Sequence, residues 1–207
     1  TFPRRKSEAL LAYLALHPGQ AQARDKLAAL LWGDVSDDRA RHSLRQALVT
    51  LRRALPGSAA ASLVEEGNTI RLDPGAVEID VALFECLAAD GSPEALERAA
   101  ALYRGDFLEG IGVDEPPFEE WLRMERERLR ELAIESLAKL LGLLARSGAV
   151  DRAVQIAVRL LGLDSAQEPV HRTLMRLYAQ QGRRGTALRQ YQVCVETLER
   201  ELGVEPE

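Results

Sequence analysis

The sequence predicts a mainly α-helical protein, with a winged helix-turn-helix followed by an all-α domain of paired helices. Apolar residues recur at helical spacing through three N-terminal segments. A strand-turn-strand pattern with Gly67-Asn68 at its turn follows them. The remaining chain repeats a helix-pair pattern at an interval of 34 residues.

Two short helices are predicted first. One lies within RRKSEALLAYLALHP and ends at Pro18-Gly19, since both residues interrupt helices. Its inward-facing residues are Leu10, Leu11, Leu14 and Ala15. The second runs from about Arg24 to Trp32 and is broken by Gly33-Asp34. Its inward-facing residues are Leu27, Leu30 and Leu31.

A longer basic helix follows, with Asp37 or Asp38 as the expected N-cap and Pro56-Gly57 as its end. Its apolar face consists of Leu44, Ala47, Leu48, Leu51 and Leu55. The other side is basic and mostly polar, with His42, Arg45, Gln46, Val49, Thr50, Arg52 and Arg53. A helix anchored by leucines that presents arginines, followed by a hairpin with a basic tip, suits a DNA groove. We therefore predict duplex DNA binding.

The charge is divided unevenly along the chain. Residues 1–72 contain 11 Lys and Arg against 7 Asp and Glu, for a net charge of +4, whereas residues 73–207 carry −9. A basic N-terminal part can approach nucleic acid although the whole chain is acidic. We predict a DNA-binding domain over 1–72, a linker over 73–79 that contains Pro74 and Gly75, and a helical domain over 80–207.

The helical part contains an internal repeat of 34 residues. At this offset Gly148 recurs as Gly182, and four further pairs match: Ala153 and Ala187, Leu140 and Leu174, Leu144 and Tyr178, Ala157 and Tyr191. The period resembles that of tetratricopeptide repeats. A looser helix pair is predicted earlier, from Val81 through Gly91 to Tyr103.

One long helix is predicted from Phe118 to Leu144. Its charged stretch interleaves Arg123, Arg126, Arg128 and Arg130 with Glu125, Glu127 and Glu131. Arginine and glutamate at such spacing favour a solvated face whose charges pair with one another.

The sequence carries no motif of catalysis or metal binding, so we expect no enzyme, cofactor or metal. It has no phosphate-binding glycine loop, and its histidines stand apart from Cys and carboxylate clusters. Cys86 and Cys194 lie in amphipathic patterns and are predicted to be buried free thiols, which fits a cytoplasmic protein. No apolar run is long enough to cross a bilayer, so we expect no membrane partner.

Several segments in order resemble the bacterial transcriptional activator family of antibiotic-pathway regulators. They are ALLAYLALHPGQAQARDKLAALLWGD, RHSLRQALVTLRRAL, GDFLEG, REL and LRQYQVCVETLERELGVEPE. The resemblance covers essentially the whole chain and implies an OmpR-type winged helix joined to a bacterial transcriptional activator domain. Family members carry a small sheet before the first helix, where this chain has only TFPRRK. We therefore expect that sheet to be missing and the chain, which begins at Thr1, to be a fragment.

The resemblance also implies the residues that contact DNA. Trp32 at the end of the second helix is expected to contact the DNA backbone or to pack in the core. The positions that face bases or phosphates correspond to Arg41, His42, Arg45, Gln46, Val49, Thr50, Arg52 and Arg53. The wing tip that enters the minor groove corresponds to Asn68 and Arg71. Double-stranded DNA is the expected partner, and RNA polymerase subunits and a homodimer on DNA are further candidates.

Two other interpretations fit the same sequence. The chain could be a helical-repeat scaffold whose N-terminal helices bind protein, in which case its affinity for random duplex DNA would not depend on salt. It could also be the regulatory front end of a larger ATPase or cyclase, which the full-length reading frame would reveal.

Overall fold

A computed structural model describes residues 2–55 and 57–206. Its helices are α1 (Phe2–Ala15), α2 (Arg24–Leu31), α3 (Asp37–Ala54), α4 (Ser58–Ala61), α5 (Asp80–Asp90), α6 (Pro93–Leu102), α7 (Pro116–Ser147), α8 (Val150–Leu163), α9 (Glu168–Gln180) and α10 (Arg184–Leu202). Its strands are β1 (Gln22–Ala23), β2 (Leu63–Glu66) and β3 (Thr69–Leu72). The mainly helical fold with a small sheet agrees with the sequence prediction.

The described chain forms two compact units. The first contains the residues up to Leu83 together with Gly105–Glu127, and the second contains Phe84–Arg104 together with the residues from Arg128 onward. In the first unit α1, α2 and α3 pack around one core. Most of the leucines predicted to face inward are fully buried in it: Leu10, Leu14, Leu27, Leu31, Leu44, Leu48 and Leu51.

The sheet has the order β1-β3-β2, and both pairings are antiparallel. The predicted hairpin is β2–β3, in which Glu66 pairs with Thr69 across the Gly67-Asn68 turn. Gly67 has a φ of 55°, a left-handed conformation that glycine adopts without steric cost. β1 was not predicted, because two residues are too few to show an alternating pattern.

The start of α3 differs from the prediction. Ser36 is the N-cap residue, so Asp37 and Asp38 were wrongly expected to cap the helix. These carboxylates lie in the first turn, where they interact favourably with the helix dipole. At the other end Leu55 has extended backbone, as expected for a residue before proline. Pro56 itself lies outside the described residues.

A later segment of the chain completes the first core. Val113, Phe118 and Leu122 are buried in the same apolar cluster as α1–α3. Arg126 secures the preceding loop by donating from Nε to the Phe107 carbonyl (2.8 Å) and from Nη2 to the Leu108 carbonyl (2.7 Å). The compact units therefore do not follow the predicted boundaries, and the assignment of domains to 1–72, 73–79 and 80–207 stays a prediction.

The second unit contains the 34-residue repeat. Gly148 and Gly182 have nearly equal positive φ values, 75° and 74°, and each lies between two paired helices. The equivalent residues Leu140 and Leu174 are both buried in the core of this unit. No described helix is both long and apolar enough to span a membrane.

Two local predictions for the helical part are wrong. The arginines of α7 do not all pair within their own helix, since Arg126 binds loop carbonyls, Arg130 donates to the Leu163 carbonyl and Arg128 pairs with Glu85. Sequence spacing could not show which loops pass beside α7. Of the two thiols, Cys194 is buried as predicted but Cys86 is exposed.

We expect Phe118→Ala to destabilise the first unit by about 3–5 kcal/mol, because it removes a fully buried aromatic ring. Hydrogen exchange of the Ile70 amide in β3 would measure this loss of stability, because Ile70 is buried in the same core as Phe118. Met124→Ala is the matched control, since Met124 is 52% exposed on the same helix. Unchanged exchange at Ile70 in Phe118→Ala would show that the later segment does not support this core.

Candidate nucleic-acid interface

The outer face of α3 carries a central ridge of four residues. His42, Gln46, Val49 and Arg53 are separated by four, three and four positions, so they form one line along the helix, and all are exposed. The opposite face, which includes Leu44 and Leu51, is buried. The core thus fixes which side of α3 faces outward.

One flank of the ridge is joined to the hairpin through Asp25 at the start of α2. Arg41 donates from Nε to Asp25 Oδ1 (2.9 Å), and Asn68 in the hairpin turn donates from Nδ2 to Asp25 Oδ2 (3.4 Å). The hydrogen bond from Arg41, reinforced by that from Asn68, holds the pKa of the Asp25 carboxyl below its ordinary value. The same contact raises the pKa of the Arg41 guanidinium.

Glu65 of β2 makes a second link between α3 and the hairpin. Arg52 Nη1 pairs with Glu65 Oε1 (2.5 Å), and Arg52 Nη2 donates to the Leu63 carbonyl (3.1 Å). Arg24 pairs with the other oxygen of Glu65. The sequence predicted Arg52 as a DNA contact. In the structure its guanidinium group binds β2 and so holds the hairpin against α3.

The predicted wing-tip residues occupy the hairpin. Asn68 lies in the turn and is exposed, whereas Arg71 on β3 is half-buried. Arg71 Nη2 pairs with Glu66 Oε1 at 3.2 Å. Because this pair is open to solvent, it contributes little to stability and can exchange for another anion.

Trp32 and Lys6 lie at a cleft on the other flank of the ridge. Trp32 is half-buried, packs against the first core and lines a cleft of about 330 Å³. The other lining residues are Lys6, Ser7, His42, Ser43, Gln46, Ala47 and Thr50. Lys6 Nζ lies 5.8 Å from the centre of the Trp32 ring, close enough for a cation–π contact. Trp32 thus packs in the core, as one of its two alternatives expected, and its contact with the DNA backbone stays a prediction.

Lys6 and its partner Glu115 were missed by sequence reasoning. Lys6 Nζ pairs with Glu115 Oε1 at 2.5 Å, and the Gly33 amide donates to Glu115 Oε2 at 3.1 Å. The Glu115 side chain is almost fully buried, and these contacts satisfy it. The basic run RRK was the only feature of the sequence that pointed to Lys6. Glu115 is 109 positions away, and no local feature of the sequence pointed to it.

Of the predicted site residues, His42, Gln46 and Val49 are exposed on the ridge and Trp32 lines the cleft. The others fall into three groups by what their side chains bind. Arg41, Arg52, Asn68 and Arg71 are held by carboxylates of α2 and the hairpin. Thr50 uses its hydroxyl within α3, donating to the Gln46 carbonyl at 2.9 Å. Among the described residues no carboxylate pairs with Arg45 or Arg53, so both guanidinium groups are available to an external anion. Within the same part of the chain no cluster of three metal-ligating side chains occurs.

Comparison with known proteins gives a match to a family model and a similarity to a solved structure. Residues 79–207 match the model of the bacterial transcriptional activator domain. The structure of Mycobacterium tuberculosis EmbR in complex with a low-affinity phosphopeptide is similar, with a TM-score of 0.70 and 23% sequence identity. This match covers 98% of the present chain and 56% of the EmbR chain, so the present chain spans little more than half of EmbR. No curated protein matches the chain.

We expect Arg41→Ala to raise the pKa of Asp25 toward its ordinary value, since Arg41 is the main cause of its lowering. In the wild type the stabilisation from Asp25 is present above the unfolded carboxyl pKa and is lost as pH falls through the lower folded pKa. A carbon-detected NMR titration of the Asp25 carboxyl measures the shift. Arg53→Ala is the control, because it leaves Asp25 untouched. Identical Asp25 titrations in Arg41→Ala and the wild type would refute the contact.

Proposed function

Because the chain belongs to the bacterial transcriptional activator domain family, we propose that it is a transcriptional activator that reads duplex DNA with α3 and the β2–β3 hairpin. The observation that carries the proposal is the division of α3 into two faces. Its leucines are buried, while the ridge and the neighbouring Arg45 are exposed and Arg45 and Arg53 have no carboxylate partner among the described residues. Such a helix can enter the major groove without rearrangement.

Base recognition is assigned to the middle of α3. The Gln46 amide can both donate and accept, which matches the edge of adenine in the major groove. Arg45 offers two parallel donors, which suit guanine, and Val49 offers an apolar surface for the methyl group of thymine. These three side chains are exposed, with Arg45 and Gln46 adjacent and Val49 one turn further along the helix.

Phosphate contacts are assigned to the basic groups around the ridge. Arg53 lies at its C-terminal end, and Trp32 borders the cleft beside Gln46. Lys6 in the same cleft is not counted, because it is already paired with the buried Glu115. Each cation that neutralises a phosphate releases counterions and so makes binding depend on salt. The acidic Asp37 and Asp38 at the start of α3 would repel phosphates, which favours an approach along His42–Arg53.

The hairpin is assigned the role of the wing. Asn68 and Arg71 are assigned to the minor groove, and the contacts of Asp25 and Glu65 that join the hairpin to α2 and α3 support a fixed wing. A wing fixed in advance loses less conformational entropy on binding. Arg71 would exchange its solvent-exposed pair with Glu66 for a phosphate or a base edge.

The helical repeats are assigned to protein contacts, with RNA polymerase subunits as the proposed partner. Stacked helix pairs present extended surfaces that hold peptides or helices. The net charge of −9 over residues 73–207 makes this part unsuitable for contact with DNA.

We expect Arg53→Ala to weaken binding to every duplex and to reduce the slope of log K against log salt by about one unit, as for one lost phosphate contact. Fluorescence anisotropy over a series of salt concentrations measures both effects. Arg176→Ala is the matched control, since it removes the same charge from an exposed position on α9. Equal losses in Arg53→Ala and Arg176→Ala would refute the assignment to α3.

We expect Gln46→Ala and Arg45→Ala to relax sequence preference, at roughly 1–3 kcal/mol for each lost base contact. Selection of duplexes from a random pool, with wild type and variants in parallel, measures the preference at each position. A uniform loss of affinity with unchanged preference would show that these residues do not read bases. A wild-type affinity that does not change with salt would favour the protein-scaffold interpretation.

A further inference from the structure

A cation of the first helix lies beside α3 but is held by a buried carboxylate. Lys6 lines the cleft next to α3, and its Nζ lies 5.8 Å from the centre of the Trp32 ring. The same Nζ lies 2.5 Å from Glu115 Oε1, and the Glu115 side chain is only 2% exposed. The two charges cancel at close range. A phosphate in the cleft is therefore attracted less strongly than the lysine alone would attract it.

This ion pair differs from the solvent-exposed pair of the hairpin. Arg71 lies 3.2 Å from Glu66, whose side chain is 65% exposed, so water can solvate Glu66 when Arg71 leaves. The nearly buried Glu115 carboxylate lacks that access to water. If Lys6 left, the carboxylate would lose its cation inside the protein, and a buried charge without a partner is strongly destabilising. A DNA phosphate can therefore take Arg71 from Glu66 but does not take Lys6 from Glu115.

The backbone and the side chain of Glu115 are both held in place. Its Oε2 accepts a hydrogen bond from the Gly33 amide (3.1 Å), in the turn between α2 and α3. Its carbonyl accepts from the amides of Phe118 and Glu119, both at 3.0 Å, at the start of α7. Phe118 is itself fully buried in the first core. These contacts keep the carboxylate beside Lys6.

We propose that Glu115 limits the affinity of this protein for DNA by masking the charge of Lys6, an inference that rests on the proposed function. Attraction to the phosphate backbone strengthens binding to every sequence and supplies non-specific binding. Masking Lys6 lowers that attraction and leaves the base contacts of α3 unchanged. Residue 115 lies within 79–207, the part that matches the bacterial transcriptional activator domain. This part of the chain thus supplies a residue that sets how strongly α1–α3 attract DNA.

Glu115→Gln tests the masking, because it removes the charge at nearly constant volume. The amide oxygen of glutamine can still accept from the Gly33 amide, so the turn before α3 keeps its hydrogen bond. We expect this variant to bind every duplex more tightly than the wild type. The slope of log K against log salt becomes steeper by about one unit, since Lys6 then neutralises a phosphate. Fluorescence anisotropy with random duplex measures both effects. Replacing a residue that only supports the fold would weaken binding instead.

Two further variants show where the added attraction arises. Glu120→Gln is the matched control, since it removes the same charge from an exposed position on α7, and it keeps the wild-type slope. The double variant Lys6→Met with Glu115→Gln replaces both charges by neutral side chains and also has the wild-type slope. A double variant that keeps the steeper slope overturns the proposal, because Lys6 is then not the source. A slope one unit below the wild type overturns it too, because Lys6 then already contacts DNA in the wild type.

Acetylation of lysine side chains tests the masking without DNA. The chain has three lysines, Lys6, Lys26 and Lys139, and mass spectrometry can follow each of them. We expect Lys6 to react more slowly than the exposed Lys139 in the wild type, because the carboxylate holds its ammonium group. In Glu115→Gln we expect Lys6 to react faster, with Lys139 unchanged as the internal reference. Equal Lys6 rates in the two proteins overturn the proposal.

The salt series separates this proposal from the function on which it rests. A wild type whose DNA binding does not depend on salt refutes the proposed function and the masking with it. A wild type whose binding depends on salt, together with a Glu115→Gln variant of equal or shallower slope, refutes the masking alone.

Discussion

Burial of the leucine face of α3 is the constraint on which the rest of the first unit depends. Leu44, Leu48 and Leu51 can reach the core in one rotation of the helix only, and that rotation brings His42, Gln46, Val49 and Arg53 to the surface. The hydrophobic effect thus orients the polar ridge, although no ridge residue contributes much to stability. Two carboxylates then place the hairpin. Asp25 of α2 accepts hydrogen bonds from Asn68 in the hairpin turn and from Arg41 of α3, and Glu65 on the first hairpin strand pairs with Arg52 of α3.

Local patterns predicted the longer helices, the hairpin and most of the inward leucines, because amphipathic spacing indicates which face is buried. The exposed face of α3 was predicted for the same reason. The short helix α4 was not predicted. Long-range partners were not predictable. The sequence indicates that Arg52 is a surface cation, whereas in the structure it pairs with Glu65. It indicates that Arg126 pairs within its own helix, whereas in the structure it donates to the Phe107 carbonyl. The partners of both arginines depend on which strand or loop passes nearby, and local periodicity does not indicate this.

The two units use their apolar surface differently. In the first, a segment distant in sequence completes the core, and Phe118 and Leu122 are buried with α1–α3. In the second, the repeat covers α8 with α9 but leaves the equivalent face of α10 exposed. On α10, Leu188, Tyr191 and Leu202 are exposed.

The contact of Glu115 with Lys6 and the Gly33 amide has a consequence for how such proteins can exchange parts in evolution. A gene fusion joined at the Pro74-Gly75 turn would separate Glu115 from both partners and would leave Val113 and Phe118 without their core. The parts of the chain before and after this turn are therefore not independent modules that recombination can exchange there. A viable chimera has to inherit the stretch around Glu115 from the same parent as α1 and α3.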